Sequence, residues 1–79
     1  MIKRRLGLHP HFGGNNTPAI TGCPDMFELD NGDLAIIGIR KTEELKKHLP
    51  SDAGCGPDEE IVIVPRNIFV NAKSDILNL

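Results

Sequence analysis

Two cysteines and three histidines are the side chains of this chain best suited to hold a metal or attack a carbon: Cys23, Cys55, His9, His11 and His48. Three readings of the cysteines are open. In a reducing compartment the default is a pair of free thiols, each a small apolar residue ahead of a turn. A Cys23–Cys55 disulfide would brace a small domain. Zinc would take Cys23 and Cys55 with two of the histidines, His9 and His11 being the nearest pair, to complete four ligands. Spacing favours zinc least, since neither cysteine belongs to a Cys-x-x-Cys pair and His9-Pro10-His11 is short for a finger-type pair.

Thiol catalysis needs a base within hydrogen-bond reach and a group to hold the thiolate. His48 falls at the end of a predicted helix, where a cation is favoured over a base. No oxyanion-stabilising motif and no phosphate-cradling glycine loop is visible. A core of this size also leaves little room for a pocket. The chain reads as non-enzymatic. Asp30-Asn31-Gly32-Asp33 resembles only the start of a calcium loop, and turn chemistry accounts for it without a metal. Asp58, Glu59 and Glu60 stand just before an apolar run. They read as charge that discourages aggregation of that run, or as an acidic lip for a basic partner.

These residues must be placed by a chain of 79 residues, one small domain that buries roughly 60–65% of its unfolded surface. Three Phe and no Tyr or Trp leave the core to Ile, Leu and Val. No apolar stretch approaches the ~18 residues of a membrane span. Lys3, Arg4 and Arg5 mimic the start of a signal peptide, but "LGLHPHFGG" follows where an apolar run is required, so a cytoplasmic protein is expected. The same reasoning takes weight from the glycosylation pattern Asn15-Asn16-Thr17. All eleven carboxylates lie between Asp25 and Asp75, while the three cations of the first 22 residues stand apart. An acidic body argues against nucleic acid as the main partner.

Residues 1–22 read as an irregular basic arm, ordered where Leu6, Leu8, Phe12 or Ile20 dock. Residues 23–79 read as a compact α+β domain. Asn31-Gly32 predicts a type I′ hairpin that pairs Leu29 with Leu34 and Phe27 with Ile36 on one core face. "RKTEELKKHLP" predicts a short helix with Thr42 as N-cap, Glu43 and Glu44 in the first turn and Pro50 as the stop. "EIVIVP" is a continuous apolar run, which fits a strand covered on both faces or paired with a second copy. Ile68-Phe69-Val70 favours a second hairpin, giving a β-β-α-β-β order. The rival is a helix from Pro65, because Ile68, Ala72, Ile76 and Leu79 also fall on one helical face.

The strings before the two apolar regions are near repeats, Gly-Cys-Pro-Asp at 22–25 and Gly-Cys-Gly-Pro-Asp at 54–58. Two similar marginal units closing one core would explain them. "FGGNNTPAITGCPD", "FELDNGDLAIIG" and "AGCGPDEEIVIVPR" resemble a group of small stand-alone bacterial proteins, mostly actinobacterial, with no assigned function. The similarity covers about His9 to Lys73. It implies a complete small protein and brings no catalytic residue, cofactor or partner. The expected function is that of a protein-interaction or regulatory module, with Ile61, Ile63, Asp58, Glu59 and Glu60 at its contact surface. A homodimer through the Ile61–Val64 strand is the simplest way to bury its second face. The alternative is a zinc-binding or redox-responsive protein using Cys23 and Cys55.

Overall fold

The computed structural model describes residues 1–7 and 24–79. The fold is α+β, with two small antiparallel sheets and a helical C-terminal segment. Strands β1 (Ile2–Arg5), β2 (Asp25–Leu29) and β3 (Leu34–Ile37) form the first sheet with β2 in the centre. Strand β4 (Ile39–Arg40) pairs with β5 (Val62–Ile63) in the second. Helix α1 (Thr42–Leu45) runs into a 3-10 turn at Lys46–His48, and α2 (Arg66–Asn71) and α3 (Lys73–Leu77) close the chain.

The first departure from expectation lies in the basic arm, part of which is a strand. Residues 2–5 lie along β2, with Arg4 opposite Glu28 and Arg5 opposite Phe27. Leu6 continues the pairing by donating its N–H to the Met26 carbonyl at 2.9 Å. The sequence Ile-Lys-Arg-Arg has no apolar alternation to announce a strand. Cross-strand carboxylates and the anchoring Leu6, which is almost wholly buried, hold it instead. Residues 8–23, with Leu8, Phe12, Ile20 and the glycosylation pattern, lie outside the described residues.

The hairpin forms where Asn31-Gly32 predicts it, but one residue out of the predicted register. Phe27 lies opposite Ala35 and Met26 opposite Ile36. The loop has three residues, Asp30 to Gly32, closed by Gly32 N–H to the Leu29 carbonyl at 3.0 Å and Leu29 N–H to the Asp33 carbonyl at 2.8 Å. Only Gly32 takes a left-handed φ, +93°, whereas a type I′ turn would need one at Asn31 as well. Asn31 keeps a negative φ, and its Oδ1 accepts the Asp33 N–H at 2.9 Å. A one-residue slip exchanges the faces of a strand. Met26, not Phe27, therefore enters the core, and the four residues predicted to share a face are divided between two.

The core consists of Leu6, Met26, Ile68 and Ala72, with Val64 and Ile76 packed against it. Three of these come from the C-terminal helices, so the second hairpin is not formed. Pro65 enters the helix at φ −56°, and Ile68, Ala72 and Ile76 repeat at four-residue spacing toward the sheet. That stripe overrides the strand preference of Ile68-Phe69-Val70. With β5 reduced to two residues and no strand after it, the observed order is not β-β-α-β-β and the two Gly-Cys strings do not introduce equivalent units. Thr42 is the first residue of α1 rather than its cap. Its hydroxyl accepts the Ile61 N–H at 2.8 Å, tying the helix to the chain entering β5.

Candidate interaction surface

β3 and β4 are one extended run interrupted at Gly38. A Cβ at Gly38 would stand 2.7 Å from the Ile63 carbonyl oxygen and 3.0 Å from Val64 Cγ2, so β5 can approach only because glycine is there. Side chains alternate along this run. Leu34 and Ile36 lie on the helix-covered side, opposite Glu28 and Met26. Ala35, Ile37 and Ile39 lie on the other side, and Ile63 joins them because it is the cross-strand partner of Ile39.

Ile37, Ile39 and Ile63 are 51%, 62% and 42% exposed, and Leu34 and Ile36 on the other side are exposed as well. These three isoleucines face water on the ribbon that carries the Ile61–Val64 run. Ile63 belongs to it. Ile61 is half-buried; its N–H donates to the Thr42 hydroxyl and its carbonyl accepts the Lys41 N–H, both at 2.8 Å. Ile37 and Ile39 were not among the expected residues. Their signal was the continuation of the apolar run past the hairpin, through Gly38.

The acidic residues beside β5 differ in their partners within the chain. Glu60 pairs with Arg40 at 3.3 Å, across the β4–β5 ribbon. Glu59 folds back, its Oε1 accepting the Gly56 N–H at 2.8 Å, while Asp58 is exposed. A cleft of about 300 Å³ lies between Arg40, Lys41, Thr42, Glu43, Glu44 and Glu60. Its charges are matched within the chain: Lys41 meets Glu44 at 3.2 Å and Lys46 meets Glu43 at 3.1 Å.

The cations of β1 are similarly engaged. Arg5 Nε donates to both Asp25 oxygens, at 3.1 and 3.0 Å, and its guanidinium lies 5.4 Å from the Phe27 ring centre. Asp25 Oδ1 also accepts the Met26 N–H at 3.0 Å, which fixes its carboxylate at the start of β2. Arg4 Nε donates to Glu28 Oε1 at 2.8 Å, and its Nη1 is 3.9 Å from Asp75. That hydrogen bond raises the Arg4 pKa and holds the Glu28 carboxyl below its ordinary range, against the opposing effect of desolvation. The charge division of the chain, basic arm against acidic body, thus closes on itself in these pairs.

Of the proposed metal set, Cys23, His9 and His11 lie outside the described residues. Cys55 is a half-buried free thiol, and His48 is exposed in the 3-10 turn. Among the described residues no group of three His, Cys, Asp or Glu side chains is placed to hold a metal ion, and no helix is long and apolar enough to cross a membrane. No protein-family model, curated protein or solved structure matches this chain.

Proposed function

We propose that this chain is a small non-enzymatic protein-interaction module of the cytoplasm that works by self-association through its apolar β3–β4–β5 ribbon. The observation that carries this reading is the exposure of Ile37, Ile39 and Ile63 along one ribbon, Ile39 and Ile63 as cross-strand partners. Single exposed apolar residues are ordinary on protein surfaces, but neighbouring ones mark contact sites. A second copy supplies the same surface and closes the assembly with two-fold symmetry.

Sedimentation equilibrium of the wild type beside the Ile39→Lys/Ile63→Lys double variant tests the reading. Both side chains are exposed, so lysine is tolerated in the monomer. A wild-type dimer that the double variant weakens at least tenfold supports the proposal. A wild type that stays monomeric at several hundred micromolar refutes it.

A further inference from the structure

The run of residues 34–40 has two long edges, and its known partners use only one. Leu29 N–H reaches the Asp33 carbonyl, and Lys41 N–H reaches the Ile61 carbonyl. Backbone hydrogen-bonding groups alternate from one edge of a strand to the other. Asp33 and Lys41 are an even number of residues apart, and Gly38 keeps out of the left-handed region. β2 and β5 therefore lie along the same edge, one after the other. On the opposite edge the backbone groups of Leu34, Ile36, Gly38 and Arg40 meet no strand among the described residues.

The other open edge of the sheet is blunted. β1 has an irregular register between Ile2 and Arg4, which puts a bulge at Lys3, and it carries three successive cations. Bulges and lysines are standard means of keeping an edge from pairing. The edge at residues 34–40 reads Leu-Ala-Ile-Ile-Gly-Ile-Arg and has a regular register through β3, no proline and no charge before Arg40.

We infer that this edge pairs antiparallel with the same edge of a second copy, about a two-fold axis at Ile37. The inference rests on the self-association proposed above but places the contact on this strand edge rather than on the apolar face, so that Ile37 and Ile39 meet the second copy and Ile63, across β4, does not. With Ile37 on the axis, the outward groups of Leu34 and Ile36 meet those of Arg40 and Gly38 in the second copy. Ala35 lies opposite Ile39, and Asp33 opposite Lys41, at both ends of the contact. Opposite charges facing across an antiparallel pair favour it. An axis at Ile36 would set Asp33 against Ile39, and an axis at Gly38 would set Ala35 against Lys41. Only the Ile37 register matches both apolar residues and charge. Lys41 is held in the monomer by Glu44, three residues along. Exposed pairs of that kind are weak, so Lys41 is available to Asp33 of the second copy.

The test reads the register directly. In a Cys23→Ser/Cys55→Ser background, Ile37→Cys places two thiols across the axis as a non-hydrogen-bonded pair. Cα atoms of such a pair are about 4.5 Å apart, within disulfide range. Near-complete cross-linking at low micromolar concentration is expected, with at least tenfold slower cross-linking for Ile63→Cys. Asp33→Lys should weaken the dimer, and adding Lys41→Asp should restore it. Ile36→Pro removes only an outward N–H and should give a monomer with an unchanged far-ultraviolet circular dichroism spectrum. If Ile36→Pro does not fold, the cross-link and the charge exchange decide. A dimer that survives Ile36→Pro and does not cross-link through Ile37→Cys overturns the edge pairing, while sensitivity to Ile39→Lys/Ile63→Lys leaves self-association standing. A monomeric wild type overturns both.

Discussion

Gly7 lies directly on Ala72: a Cβ added to Gly7 would be 3.1 Å from the Cα, Cβ and N of Ala72, which itself has no exposed surface. The Gly7 N–H donates to Asp75 Oδ2 at 2.6 Å, three residues further along the same helical segment. One small residue thus turns the chain out of β1 and seats that strand's end on the junction of α2 and α3.

Gly7→Ala should destabilise the fold for two reasons, its φ of +81° and the contact with Ala72. The expected loss is roughly 1–3 kcal/mol, read as a lower urea midpoint. Equal midpoints for variant and wild type would show that β1 is not seated in this way.

Glu28 supplies a pH dependence of known sign. Its folded pKa is depressed, first by the hydrogen bond from Arg4, so the unfolded chain binds the proton more readily than the native one. The contribution is fully present above the ordinary carboxyl value of 4.5 and is lost as pH falls through the depressed value. Melting temperatures from pH 7 to pH 2 should show Glu28→Gln below the wild type at neutral pH and converging with it in acid. A constant gap would remove the Arg4–Glu28 pair as its source.

Thr42→Val should detach the entry to β5. It keeps the side-chain shape but removes the acceptor of the Ile61 N–H, and an unsatisfied part-buried donor costs about 1–3 kcal/mol. Thr42→Ser retains the hydroxyl and should lose less. Faster hydrogen exchange at Ile61 in the valine variant alone is the expected readout.

Gly38→Ala should act on the same ribbon by steric means, since the new methyl meets the Ile63 carbonyl backbone rather than a flexible side-chain end. A loss of roughly 1–3 kcal/mol is expected, with the chemical shifts of Val62 and Ile63 moving more than those of the hairpin loop. The reverse order would place the strain elsewhere.

The hairpin was legible in Asn31-Gly32, but its register was not. That dipeptide serves a two-residue turn with both residues left-handed, and equally a three-residue loop with only the glycine so. The choice fell to packing between Met26 and the distant Leu6, Ile68 and Ala72, which no local pattern contains. The C-terminal helix was visible as the stripe Ile68, Ala72, Ile76, and β-branched residues beside it made a strand look as good. β1 was hidden because charge pairing with Asp25 and Glu28 holds it, rather than apolar alternation. The run Ile61–Val64 was legible as the apolar segment that holds β5. Which of its residues face water depends on the pairing of β4 with β5, two short segments far apart in the chain.

The shared edge of residues 34–40 also separates two openings in time. The amides of residues 35 and 37 point at β2, and those of residues 39 and 41 at β5. The first contact closes locally through a three-residue loop; the second must bring Ile61–Ile63 back across α1 and the loop after it. A hairpin of this kind forms in about 1–10 μs, while contacts between distant segments close later. Ile63 lies opposite Ile39, so the edge beyond Ile37 belongs to β5. Deuterium uptake along this single strand will therefore fall into two groups with Gly38 as the boundary, the outer group reporting release of β5 and the inner group unfolding of the sheet.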